Sequence, residues 1–225
     1  MIYTILVEFD GTIMDTNNVI LQSWQHTFRT LRGREGDVGY ILSTLGEPLE
    51  DSMRNTFPEV PVDVSVETYR SWHHENFVDM IRLFPGITEL LEEVKARGYK
   101  TGISTSRVKS SLYMGLEKYD LEKYFDAILT VEDIERAKPH PDIALKTLQR
   151  LDSVPEKSVM IGDTLLDILC ARNAGCRSVL VGWSASLAGK TMSDFADGEA
   201  PDYIIQAPFE LFDVIGEIDS ARSRC

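Results

Sequence analysis

The chain has 225 residues, of which 43% are apolar and 26% charged, a balance that suits a globular fold of one large domain or a domain with an insertion. Its formal net charge of −13 argues against nucleic acid or an anionic membrane as partner, because both need a basic surface. An anionic substrate would need local compensation, from a metal or a few placed cations.

The first element is a short apolar run, Thr4 to Val7, that ends in Glu8, Phe9, Asp10 and Gly11. Residues two apart on a strand share a side, so Glu8 and Asp10 leave the end of a buried strand together, and Gly11 lets the backbone turn closely there. Two acids at such a place repel each other and resist desolvation, and a hard cation with oxygen ligands is the usual remedy. The same residues also read as a plain Asp-Gly turn with a solvated glutamate. The apolar stretch from Met1 is too short for a signal peptide or a membrane span, which makes the cytoplasm the expected compartment.

A helix is expected from about Asn17, capped by Thr16 or Asn17, through Val19, Leu21, Trp24, Phe28 and Leu31. Short helical pieces follow around Tyr40–Leu45 and Leu49–Phe57, broken by Gly46 and Pro48 and closed by Pro58 and Pro61. Val66 to Leu83 is helical again. No strand is expected between Asn17 and Leu83. After Pro85-Gly86 the pattern becomes strand–helix alternation: helices at Ile87–Arg97, Lys109–Leu116, Pro141–Leu151, Leu165–Ala174 and Phe209–Ile218, and strands at Lys100–Ser104, Ala127–Thr130, Ser158–Ile161, Ser178–Val181 and Tyr203–Ile205. Such alternation predicts an α/β fold, a Rossmann-like parallel sheet covered on both faces. Residues 1–16 and 84–225 would form this core domain, and 17–83 an inserted all-helical cap. The three cysteines, Cys170, Cys176 and Cys225, have no framework spacing, and Cys170 reads as a small core residue. The tail Ser220–Cys225 reads as loose.

Ligands of open parallel sheets bind outside the carboxyl ends of the strands. The strand ends here present Glu8 and Asp10, then Ser104-Thr105-Ser106-Arg107, then Lys138 between Ala137 and Pro139, then Gly162-Asp163 with Asp167. Each alone also reads as ordinary local structure: a cap or turn, a solvated loop lysine, a helix start with a dipole-favoured acid. Together they make a set of carboxylates, a hydroxyl and one cation that suits phosphoryl transfer, with Mg²⁺ held by few carboxylates plus substrate phosphate.

In this order the four clusters resemble the haloacid dehalogenase superfamily of phosphatases. Within it, Leu45–Leu49, Tyr69-Arg70, His73-His74 and Ala137–Asp142 are similar to the phosphoglycolate phosphatase and inorganic pyrophosphatase branch. The resemblance implies a Mg²⁺-dependent phosphohydrolase acting on a small phosphorylated substrate, as a monomer or small homo-oligomer. It implies Glu8 as nucleophile and metal ligand, and Asp10 as general acid/base that lends the metal its backbone carbonyl. Thr105 and the Ser106 amide would bind the phosphoryl group beside Gly11, Lys138 would pair with nucleophile and phosphate, and Asp163 and Asp167 would complete the metal site. The family has aspartate where this chain has Glu8. The extra methylene shifts the carboxylate by roughly a bond length, and a displacement of about 1 Å can cost on the order of a hundredfold in rate. A protein that keeps the fold and only binds metal or a phosphorylated ligand is the alternative that Glu8 leaves open. Glu47, Arg70, His73 and His74 are the cap residues placed to choose a substrate, if they are not simply polar residues of helix surfaces.

Overall fold

The computed structural model describes residues 1–187 and 189–222. Six parallel strands form the central sheet: β1 (Thr4–Val7), β4 (Lys100–Ser104), β5 (Ala127–Leu129), β6 (Ser158–Gly162), β7 (Arg177–Val181) and β8 (Tyr203–Ile205), in the order β5-β4-β1-β6-β7-β8. β1 is central, in register with β4 on one side and β6 on the other, Val7 lying opposite both Ile103 and Ile161. The chain builds outward from β1 in one direction, returns to β6 and builds out in the other. The carboxyl end of β1 therefore lies at the switch point where such sheets open a crevice.

Alternation along the strands divides the core into two layers. Ile5, Val7, Val159 and Ile161 join one hydrophobic cluster, with residues of α5 (Ile87–Ala96), α6 (Lys109–Lys118) and α9 (Glu210–Arg222). Leu6 and Met160 join the other, with α7 (Asp142–Arg150) and α8 (Leu165–Ala174). This is the pleat at work: residues one apart face opposite sides, and helices must cover both. Cys170 and Cys176 are free thiols buried in the second layer. Cys225 lies outside the described residues. α9 continues to Arg222, so residues 220–222 of the tail expected to be loose are helical, with Ile215 and Ile218 anchoring the helix in the core; the rest of that tail, 223–225, lies outside the described residues.

Between β1 and α5 the chain forms α1 (Asn17–Arg32), α2 (Val38–Ser43), α3 (Leu49–Thr56) and α4 (Val62–Met80). These helices carry a small core of their own, in which Trp24, Phe28, Met53, Phe57 and Tyr69 are buried. Val19, Phe77 and Ile81 belong instead to the main cluster, so the helical block is packed onto the sheet domain as well as onto itself. Two elements escaped the sequence reading. β2 (Met14–Asp15) and β3 (Arg82–Leu83) pair antiparallel where the chain enters and leaves the helical block. Strands of two residues carry no readable alternation, and their partner is remote in sequence. α4 also starts four residues earlier than expected, directly after Pro61, which fits the fixed φ that proline brings to a helix start.

Candidate active site

The loops that follow β1, β4, β5 and β6 meet under the helical block, around a cavity of about 560 Å³. Glu8, Asp10, Gly11, Ser106, Arg107, Lys138, Asp163 and Asp167 line its floor; Arg70, His73 and His74 line it from α4, and Glu47 from the connection between α2 and α3. Gly11 has φ +67°, and a Cβ there would stand 1.9 Å from Asp163 Oδ2. Only glycine permits both that backbone conformation and the close passage of the first loop over the last.

Lys138 is the hub of the floor. Its ammonium is buried and donates to the Ser104 carbonyl at 2.8 Å, to Asp167 Oδ1 at 2.6 Å and to Glu8 Oε2, which accounts for all three of its protons. Burial works against its charge, but Asp167 and Glu8 outweigh it and raise its pKa well above the ordinary lysine value. Glu8 Oε1 accepts from the Phe9 N–H at 2.7 Å, from the Asp10 N–H at 3.3 Å and from the Thr105 hydroxyl. Burial raises the Glu8 pKa, with Asp167 and Asp10 adding to the effect and Lys138 opposing it. Asp167 does double duty: its Oδ2 accepts the Thr164 N–H at 3.0 Å and the Thr164 hydroxyl at 2.7 Å, closing a capping box at the start of α8.

Asp10 does not join this group. It turns away from Glu8 to Arg107, whose Nε and Nη2 hold its carboxylate at 2.7–3.1 Å. Burial alone would raise the Asp10 pKa, yet the Arg107 guanidinium holds it below the usual carboxylate value. The two acids of the first loop are thus each neutralised by a protein cation of their own. Arg107 is the residue that sequence reasoning passed over. It was visible only as the last member of a polar strand-end cluster, and nothing local distinguishes it from a solvated arginine. In the fold it is buried, stacks over Phe77 at 4.4 Å, and donates from Nη1 to Ser111 Oγ at 2.9 Å and to His73 Nε2 at 3.1 Å. Because arginine only donates, His73 Nε2 is the acceptor, which places the His73 proton on Nδ1 facing Ser23 Oγ at 3.0 Å. Burial and the nearby Arg107 push the His73 pKa down to about 3, so the ring is neutral.

Asp163 accepts the hydroxyls of Ser184 at 2.7 Å and Ser186 at 2.6 Å, both from the loop after β7 and both missed in the sequence. Burial and the charge of Asp167 push its pKa up to about 7. The four acids Glu8, Asp10, Asp163 and Asp167 face two cations, Lys138 and Arg107, in an oxygen-rich site, so the acids outnumber the cations. That donor chemistry fits a hard divalent cation. Among the described residues, however, no three His, Cys, Asp or Glu side chains converge on one point. A Mg²⁺ ion here would rest on few protein ligands and keep several waters, as that ion commonly does. Of the residues of the helical block singled out, His73 is buried against Arg107, Arg70 pairs with Glu50 at 2.6 Å in a partly exposed position, and Glu47 accepts from Ser52 at 2.7 Å. His74 is exposed.

A family model of haloacid dehalogenase-like hydrolases matches residues 5–181. The chain belongs to this family. The pyrophosphatase PpaX of Bacillus thuringiensis (strain Al Hakam) is 30% identical over 218 residues, 97% of this chain and 98% of that protein. Among solved structures, a haloacid dehalogenase-like family hydrolase from Streptococcus pneumoniae superposes with a TM-score of 0.81 at 28% identity, covering 95% of this chain and 98% of that one. A Lactobacillus plantarum protein assigned as a phosphoglycolate phosphatase shares the fold at 21% identity, with a TM-score of 0.80 over 95% of this chain and 99% of its own. The haloacid dehalogenase-like architecture thus accounts for the central β1 and for the strand-end loops that converge beside it. Among the described residues no helix is long and apolar enough to cross a membrane.

Proposed function

We propose that the chain is a Mg²⁺-dependent phosphohydrolase of a small phosphorylated metabolite or of pyrophosphate. The observation that carries this reading is the convergence of Lys138, the Thr105 hydroxyl and the Phe9 and Asp10 N–H groups on one carboxylate at the switch point, below the cavity under the helical block. Such donors match the oxygens of a transferring phosphoryl group. Residues 17–83 act as the cap over a core formed by 1–16 and 84–225, and cap closure keeps water from the chemistry.

In this reading Glu8 Oε attacks phosphorus and an acyl-phosphate forms as the bond to the leaving oxygen breaks. Asp10 gives that oxygen its proton, then takes one from the water that attacks the acyl-phosphate and releases phosphate. Arg107 holds Asp10 as the carboxylate, the form the second step requires; the first step requires the acid form, so Asp10 must leave Arg107 and take up a proton before it can give one to the leaving oxygen. Lys138, Thr105 and the Ser106 amide hold the phosphoryl oxygens. Glu8, Asp163 and the Asp10 carbonyl would hold Mg²⁺, with Asp167 behind them through Lys138; the ion would offset the repulsion between nucleophile and phosphate.

The test is phosphate release from pyrophosphate, phosphoglycolate and an aryl phosphate, with Mg²⁺ and with chelator. Release that depends on Mg²⁺ and disappears in Asp10→Asn is the expected result. No release from any substrate with Mg²⁺ present would overturn the reading. The second reading, a binding protein on the same fold, is favoured by one observation: the Glu8 carboxylate already occupies the donors that would receive phosphate.

A further inference from the structure

The donors around Glu8 form an anion cradle of a general kind: consecutive backbone N–H groups at a loop, a hydroxyl and an ammonium, with Phe9, Thr105 and Lys138 buried and Asp10 half-buried. A carboxylate offers about four lone-pair sites. Three donors converge on Glu8 Oε1 and Lys138 takes Oε2, so both oxygens of this carboxylate are already bound where it meets the cavity floor. The side chain folds over the first turn of its own loop, onto the N–H groups of the two residues that follow it, and meets Thr105 and Lys138 there.

We propose that Glu8 is a resident anion: its carboxylate fills the oxyanion cradle, and a phosphoryl group enters only by displacing it. The inference rests on the proposed function in taking this cradle as the place where the phosphoryl group binds. An incoming tetrahedral oxyanion and the Glu8 carboxylate then compete for the same donors. Charge-assisted hydrogen bonds are the strong class, so displacing the resident should weaken oxyanion binding by roughly tenfold or more. The chain would be a slow enzyme for a reason separate from a misplaced nucleophile, because its substrate site is already occupied by a side chain.

The experiment is calorimetric titration of inorganic phosphate and of orthovanadate, with and without Mg²⁺, into the full chain and three variants. Glu8→Asp keeps the charge and shortens the side chain. Glu8→Gln removes the charge and keeps the length. Glu8→Asp/Thr105→Val also removes a cradle donor, and circular dichroism confirms folding of each. The expected result is that Glu8→Asp binds phosphate roughly tenfold or more tightly than the parent, with the gain lost in the double variant. Equal affinity of parent and Glu8→Asp would overturn the proposal. So would a gain confined to Glu8→Gln, which would assign the effect to charge repulsion alone, or a gain that survives Thr105→Val. Hydrolysis is scored separately on the same proteins. A Glu8→Asp gain without turnover in any form would leave the cradle inference standing and remove the hydrolase reading; fast turnover by a parent that binds phosphate as tightly as Glu8→Asp would do the reverse.

Discussion

Lys138 and His73 are the two residues whose surroundings make the sharpest demands. Lys138 stands between Glu8 and Asp167, side chains that are 7% and 3% exposed. Replacing it by methionine leaves two buried carboxylates facing each other, and breaking a buried pair in this way costs about 3–5 kcal/mol. Urea unfolding at neutral pH should show that loss for Lys138→Met. The loss should shrink as the pH falls, because Glu8, whose pKa burial already raises against the opposing charge of Lys138, then takes up a proton more readily than in the unfolded chain. Phosphate release by the variant should fall by about a hundredfold or more, the usual scale for one electrostatic contact to a transition state.

His73 gives a pH prediction of defined sign. Its folded-state pKa lies near 3, below the ordinary value of 6.5, with burial as the main cause and the charge of Arg107 next; Asp10 opposes them and His74 adds to them. Between those values the unfolded chain binds a proton that the folded one refuses. Stability from this group is therefore complete above about pH 6.5 and falls as the pH drops toward 3. His73→Gln keeps an acceptor for Arg107 and a donor for Ser23 without the titration. Between pH 7 and pH 5 the parent should lose about 2 kcal/mol more than His73→Gln, given about 1.4 kcal/mol per pKa unit. Equal losses in urea titrations at the two pH values would contradict the assigned neutral ring.

Among the elements, α4 joins the two parts of the molecule. Tyr69 belongs to the small core of the helical block, whereas Phe77, two turns on, belongs to the main core and supports the Arg107 guanidinium. Phe77 is fully buried, and Phe77→Ala should cost about 3–5 kcal/mol through lost burial and an unfilled cavity. A cost under about 1 kcal/mol by thermal or urea unfolding would show that α4 is loosely docked. The first loop is equally demanding. Gly11→Ala must strain a φ of +67° and displace the Asp163 carboxylate, so both stability and phosphate release should fall.

For the whole molecule, the distribution of apolar contacts predicts how it unfolds. Val19, Phe77 and Ile81 tie the helical block into the cluster that also holds β1, β4 and β6. The block should therefore not melt alone. Fluorescence reports chiefly on Trp24 and Trp72 in the helices and on Trp183 beside the sheet, while far-ultraviolet circular dichroism reports on all helices. The two probes should trace one coincident urea transition, and separated transitions would show independent unfolding of the helices.

What was legible in the sequence was what local pattern encodes. The apolar runs that end at Val7, Ser104 and Ile161 are periodic or continuous enough to be strands, the amphipathic stretches between them enough to be helices, and their alternation specifies a parallel sheet. Because ligands lie at the carboxyl ends of such strands, Glu8, Asp10, Thr105, Lys138 and Asp163 could be named before any coordinates. The tertiary structure alone decided how these groups are paired. The separation of Asp10 from Glu8 depends on Arg107, 97 residues away in sequence, held over Phe77 and against His73 of the helical block. The serines that receive Asp163, and the two-residue strands at the entrance to the block, likewise depend on partners remote along the chain. Local periodicity reports which face of an element is buried; it carries no information about which buried charge another loop will bring to meet it.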